Sequence, residues 1–125
     1  ETGHYTINHI HSGMYKAAHQ TAARYPREVS EFDAVGLKPE FSNKLKAPYV
    51  AESPIKIGLM LVEEHKIAAN DTILLVGQLL ELFLNKEILG NDGFLDLNLA
   101  NTVCISGLDA YHKPEKLDRL PYAKP

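Results

Sequence analysis

Apolar and polar residues alternate in two separate registers along this chain, and the change between them marks out its elements. His4-Tyr5-Thr6-Ile7-Asn8-His9-Ile10-His11 mixes aromatic, β-branched and polar residues with Tyr5, Ile7 and His9 on one side, which predicts a strand. Ser12 is a plausible N-cap for a following helix, whose small apolar stripe runs through Met14, Ala17, Ala18, Thr21 and Ala22. Tyr25-Pro26 ends it, because a residue before proline is pushed out of the helical region. A second short helix is expected over residues 27–35, closed by Gly36 as a C-terminal cap. From residue 37 to 54 the prolines Pro39, Pro48 and Pro54 recur among polar residues, which predicts an irregular connection that covers something rather than linking two domains.

Period two then returns. Ile55, Ile57, Leu59 and Leu61 alternate with Lys56, Gly58 and Met60, the signature of a strand with one buried face. Glu63-Glu64-His65 and Ala69-Asn70-Asp71 read as its exit and turn. Residues 73–84 are apolar on both sides and would also suit a helix; Asp71 ahead of them and Gly77 at their centre favour a central strand closing a hairpin. Asn91-Asp92-Gly93 is a strong turn signal, residues 94–99 form a connector, and residues 102–106 form a last strand. Two helices and at least four mostly antiparallel strands make an incomplete barrel, which must pair with another copy or lack a segment. The start, Glu1-Thr2-Gly3 without Met, reads as a beginning inside a domain, although a processed terminus would look the same.

Composition narrows the function classes. At 125 residues, 45% hydrophobic and 23% charged, the chain is one soluble globular domain over residues 1–125. Asp and Glu outnumber Lys and Arg by 16 to 13 with no basic run, so neither nucleic acid nor an anionic membrane is an expected partner. No apolar run is long enough to span a bilayer. Cys104 is the only cysteine, so no intramolecular disulfide forms and a cytoplasmic location is expected.

Candidate chemistry concentrates late in the chain. Val103-Cys104-Ile105-Ser106-Gly107 breaks an apolar run at a turn and then presents Asp109, Tyr111 and His112 together. His9 and His11, two apart on a strand, could point one way as metal ligands, but no third ligand follows at a fixed spacing and no metal is expected. Glu63, Glu64 and His65 read as a solvated turn. No dinucleotide fingerprint or Walker loop is present. Cys104 reads as buried and inert for want of an activating base. Ser106-Gly107 lacks the nucleophile-elbow pattern, and His112 has no evident triad. What remains, Asn8, Tyr25 and the turn from Ser106 to His112, suits a planar, hydrogen-bonding ligand, or else side chains that simply pack and pair.

Several stretches, in order, resemble the flavin reductase-like proteins with an FMN-binding split barrel. Glu1-Thr2-Gly3 with Ile7-Asn8 is similar to the family's "ETG-x-F-V-V-N" strand, and Tyr25-Pro26 through Glu31-Phe32 and Gly36-Leu37 to its "YP-x-x-x-x-EF-x-x-x-GL" segment. Pro48-Tyr49-Val50-Ala51-Glu52-Ser53-Pro54 resembles "P-x-V-x-ESP", and Val76-Gly77-Gln78 with Asp92-Gly93 and Asp96 resembles "GEV…DG-x-x-D". Cys104 and Ser106-Gly107 stand where the family often carries an Arg and paired glycines, and Gln78 replaces a common Glu. The resemblance implies a mainly β, α+β fold, an FMN-binding split β-barrel incomplete at its N-terminus. It implies FMN as cofactor, NADH or NADPH delivering hydride to the flavin N5, a homodimer, and an oxygenase or other acceptor for the electrons. Asn8, Tyr25, Ser106, Gly107 and Tyr111 would bind the cofactor, and His112, oriented by Asp109, would be the catalytic hydrogen-bond donor to the reduced ring. A flavin-binding electron carrier without enzymatic activity, or a dimerising β-domain without cofactor, would share the fold.

Overall fold

A computed structural model describes residues 2–125, so Glu1 of the opening motif lies outside the described residues. The principal sheet has three antiparallel strands in the order β1 (His4–Asn8), β4 (Ile55–Ile67), β5 (Thr72–Leu84). Helices α1 (Tyr15–Gln20) and α2 (Glu31–Val35) follow β1, and two-residue strands β2 (Pro39–Glu40) and β3 (Tyr49–Val50) pair within the proline-rich connection. After β5 come a 3-10 turn, Lys86–Ile88, and a small hairpin of β6 (Cys104–Ser106) and β7 (Ala110–His112).

The alternating run from Ile55 and the apolar run to Leu84 form one long hairpin, as their pattern predicts. It differs from expectation in two ways. Glu63, Glu64 and His65 continue the paired strand instead of leaving it, and Glu63 and His65 form an exposed ion pair at 2.8 Å. Among the described residues β5 is an edge strand rather than a central one. Two bulges, leaving Leu80 on β5 and Val62 on β4 unpaired, bend the ladder. Because β1 reaches only as far as Met60, the outer half of the hairpin projects as an arm. Its residues Ile73, Leu74, Leu75 and Val76 are 38–54% exposed.

Two glycines allow tyrosines to lie flat on this sheet. The Tyr49 hydroxyl occupies the place of a Gly58 Cβ, 2.0 Å from where that atom would stand, and the Tyr5 hydroxyl lies 2.1 Å from the corresponding point at Gly77. Tyr49 thereby reaches across to Glu81, the cross-strand neighbour of Gly58, and donates to its carboxylate at 2.8 Å; Ser42 donates to the same oxygen. Burial, reinforced by the hydrogen bond and charge of Glu81, raises the Tyr49 hydroxyl well above the phenol range, while hydrogen bonds led by Ser42 hold Glu81 below the usual carboxylate value. Tyr49 and Ile55 are the fully buried side chains, and Ile55 gathers Ile88 and Ala100 into a small core.

The helices are shorter than the sequence pattern predicts. α1 begins after Met14, not Ser12, because the Met14 amide that a Ser12 side-chain cap would bind donates to the His11 carbonyl, and the Gly13 amide to His11 Nδ1, both at 3.0 Å. α2 covers only the last five residues of the predicted helix, and Gly36 closes it at φ 72°, as expected for a left-handed cap. β1 stops at Asn8; beyond it, His11 bridges Thr102 and Val103 donates to Ile10 at 2.9 Å. That tie brings the β6–β7 hairpin alongside α1.

Candidate functional site

Helix α1 presents Tyr15, Lys16, His19 and Gln20 towards the β6–β7 hairpin, where they line a cleft of about 340 Å³ together with Asp109 and Tyr111. Tyr15 and His19 stand four residues apart, so they share one helix face. The Tyr111 ring sits between them, with centroids 5.4 Å from Tyr15 and 5.7 Å from His19, the latter edge-on. Its hydroxyl shares a 3.2 Å hydrogen bond with His19 Nδ1. Gln20 donates to the Tyr25 hydroxyl at 3.2 Å, fixing the expected ligand-binding tyrosine to the end of the same helix.

The register Cys104↔His112, Ile105↔Tyr111, Ser106↔Ala110 splits the hairpin into two faces. Tyr111 is on the α1 side. Ser106 and His112 are on the other, joined by a 2.7 Å hydrogen bond between Oγ and Nε2, and Gly107 makes the tight turn at φ 64°. Cys104 shares that face and is exposed, which corrects the expectation of a buried thiol: a three-residue strand paired on one side only cannot enclose it. Asp109 lines the cleft with Lys16 and makes no hydrogen bond to His112 among the described residues; Ser106 is the partner of that imidazole.

Asn8 stands apart from this group. Its carbonyl accepts the Val50 amide and its NH₂ donates to Thr6 Oγ1, both at 3.0 Å, so it ties β1 to β3. His9 and His11 also lie elsewhere; burial lowers the pKa of His9, and no cluster of three metal-ligating side chains occurs among the described residues. The structure thus joins Tyr25 and Tyr111 through α1 and pairs Ser106 with His112. Tyr15, Lys16 and His19 flank the small apolar stripe of this helix rather than belonging to it, and the Tyr–His spacing of four residues is the signal that marks them in the sequence.

A short-helix domain with an antiparallel sheet, a long hairpin and an apolar face left open has the architecture of a split β-barrel. The chain belongs to the flavin reductase-like family: the profile of the "Flavin reductase like domain" matches residues 1–102. Among solved structures it is similar to a Shewanella frigidimarina protein assigned as a flavin reductase with a split barrel domain, at 46% identity and a TM-score of 0.96 over 98% of this chain and 62% of that one. It shares its fold with flavoredoxin of Desulfovibrio vulgaris (Miyazaki F), at 21% identity and TM-score 0.82, covering 97% of this chain and 64% of that one. The same holds for component B of nitrilotriacetate monooxygenase from Bacillus cereus, at 19% identity and TM-score 0.79, covering 95% and 60%. The chain therefore spans about three-fifths of the length of these proteins. Comparison with curated proteins returns no significant match. No helix among the described residues is long and apolar enough to cross a membrane.

Proposed function

We propose that this protein is an FMN-dependent oxidoreductase of the flavin reductase type, passing hydride from NADH or NADPH to bound flavin. The observation that carries the reading is the aromatic cleft between α1 and β7, set in a chain of the flavin reductase-like family. Its donor set fits a planar ring rich in hydrogen-bond acceptors: Tyr15 and Tyr111 offer ring faces, and Lys16, His19 and Gln20 offer N–H groups beside them. A bound flavin supplies the hydride-accepting chemistry, and the protein supplies orientation, polarity and control of water.

Each residue then has a role in terms of its own chemistry. Tyr111 and Tyr25 present their rings, held by His19 and Gln20. Gly107 leaves the backbone bare at the turn, and Ser106 positions the imidazole of His112. His112 lies across the hairpin from this cleft, so its role as hydrogen-bond donor to a reduced, anionic ring requires the ring to extend past the Gly107 turn to the Ser106 face. Asn8 supports the site at a distance by fixing β1 against β3.

The protein works as a homodimer in this reading. The outer strand, with Ile73, Leu74, Leu75, Val76 and Leu79 at 38–57% exposure, is a surface that another copy or a further segment would cover, and in this reading another copy covers it. A partner oxygenase is a natural recipient of the reduced flavin, a view supported by the likeness to component B of nitrilotriacetate monooxygenase. The exposed thiol of Cys104 suits a reducing cytoplasm.

The likeness to flavoredoxin supports a second reading, a flavin-binding electron carrier without turnover. Oxidation of NADH and NADPH in the presence of excess free FMN separates the two. Continuous turnover supports the reductase, stoichiometric reduction of bound flavin alone supports the carrier, and no flavin binding at all leaves a dimerising β-domain.

A further inference from the structure

The stretch that follows β7 is built the reverse way from a packed segment. Leu117, Leu120 and Tyr122 stand 82–94% exposed, while Lys116 and Arg119, interleaved with them, turn back to the body of the protein. Lys116 pairs with Asp96, and Arg119 donates to Asp92 at 2.5 Å. Both cations also lie over the Phe94 ring, the Arg119 guanidinium 4.0 Å and the Lys116 ammonium 5.6 Å from its centroid. The Asn98 side-chain amide donates to the Pro114 carbonyl at 3.2 Å. Hydrogen bonds from Arg119 and Lys116 hold the Asp92 and Asp96 carboxyls, respectively, below the usual carboxylate range.

Little else holds this stretch down. Among the described residues no backbone–backbone hydrogen bond ties residues 113–125 to the rest of the chain, and a cavity of about 220 Å³ remains between Pro114–Lys116 and the loop of residues 94–98. The two sides of the contact flank one hairpin: Asp92, Phe94, Asp96 and Asn98 precede β6, and Pro114, Lys116 and Arg119 follow β7. The start of β6 is anchored by the His11–Thr102 bridge and by the Val103 amide on Ile10. β7 has three residues and, among the described residues, β6 as its one sheet neighbour. A two-stranded hairpin of this length is marginal in water on its own.

We propose that residues 113–119 are an electrostatic clasp that closes the base of the β6–β7 hairpin and so sets where Tyr111 and His112 stand. Lys116 and Arg119 are positioning residues that act through the hairpin. The effect of the clasp on flavin binding rests on the function proposed for the α1–β7 cleft; the clasp itself does not. Each exposed ion pair is worth a factor of about 1.4–5 in an equilibrium, so the loss of both multiplies hairpin opening by about 2–25. Because charge rather than buried apolar surface closes it, the clasp is sensitive to salt.

Amide hydrogen exchange of the flavin-free chain reads the clasp directly. The double variant Lys116→Gln/Arg119→Gln is expected to exchange about 2- to 25-fold faster across residues 104–112 and at the parent rate along the β4–β5 ladder. Lys116→Arg/Arg119→Lys, which keeps both charges, is expected to exchange as the parent does. Sodium chloride at about 1 M, where the screening length is about 3 Å, is expected to bring the parent close to the glutamine variant and to leave that variant unchanged. A glutamine variant within about 1.5-fold of the parent, the low end for one exposed pair, would overturn the proposal. So would faster exchange shared equally by β4 and β5, a parent that ignores salt, or a charge-keeping variant that behaves like the glutamine one. A parent that shows this exchange pattern and binds no FMN would count against the proposed function alone and would support the clasp.

Discussion

Replacing Gly58 with alanine tests the packing that holds the sheet to its covering loop. The new Cβ would stand 2.0 Å from the Tyr49 hydroxyl, so that hydroxyl must retreat by about 1.4 Å to reach ordinary contact at 3.4 Å. Tyr49 is 1% exposed and has no open space to enter, and its 2.8 Å bond to Glu81 does not survive such a move. An unsatisfied buried hydroxyl costs about 1–3 kcal/mol, and forcing a packed side chain aside costs about another 1–3 kcal/mol. Gly58→Ala is thus expected to lose about 2–6 kcal/mol of the roughly 5–15 kcal/mol that a domain possesses. In urea denaturation followed by circular dichroism, with a slope of about 2 kcal/mol/M, the midpoint falls by about 1–3 M. Adding Tyr49→Phe removes the clashing oxygen; the next neighbours, Leu45 Cδ1 at 2.8 Å and Glu81 Cγ at 3.1 Å, belong to side chains that can give. The double variant is expected to be more stable than Gly58→Ala by about 1–3 kcal/mol, a coupling typical of touching residues. A Gly58→Ala variant within about 0.5 kcal/mol of the parent, the usual range for a neutral substitution, would refute this reasoning. A double variant no better than the single one would do the same.

Other consequences are quicker to check. His112→Ala should slow flavin reduction by about 100-fold, the usual loss for one hydrogen-bond donor to developing charge, while the circular dichroism spectrum stays unchanged; an unaltered rate and flavin affinity would remove His112 from the mechanism. Burial holds the His9 pKa in the folded chain below 6.5, so the folded state favours the neutral ring. Its contribution is present above pH 6.5 and is lost as pH falls through the folded value. A His9→Gln variant should accordingly lose less stability than the parent between pH 7.5 and about pH 5.5, and identical losses would count against the assignment. Cys104, being exposed, should react with a thiol reagent in the native state at one equivalent per chain; protection until unfolding would show it covered, as in a dimer interface.

Much of the fold was legible because period two survives wherever one side of a strand is covered. The hairpin of β4 and β5 was readable from Ile55, Ile57, Leu59 and Leu61 and from the apolar run after Asp71. Its edge position was not, since residues 73–76 are as apolar as any buried strand and yet lie exposed. Local sequence cannot report which neighbours a strand will have. The start of α1 was not legible because a tight turn at His11, whose carbonyl takes the Met14 amide, uses the donor that a Ser12 side-chain cap would have bound. Gly36 was read correctly because a left-handed cap depends on glycine itself. At the candidate site, Tyr111 and the Ser106–His112 pair were visible as a turn rich in side-chain chemistry. Their contacts with Tyr15 and His19 were not, because they depend on the His11–Thr102 bridge that places the hairpin against the helix.

The most direct test of the account is an anaerobic titration of the purified chain with FMN, followed by addition of NADH or NADPH, with the visible flavin band recorded throughout. The account predicts saturable binding at one flavin per chain, weakened at least about tenfold in Tyr111→Ala through loss of its aromatic contact, and bleaching of the band when reduced nicotinamide is added. A flavin spectrum indistinguishable from that of free FMN, or equal binding by the Tyr111→Ala variant, would contradict it.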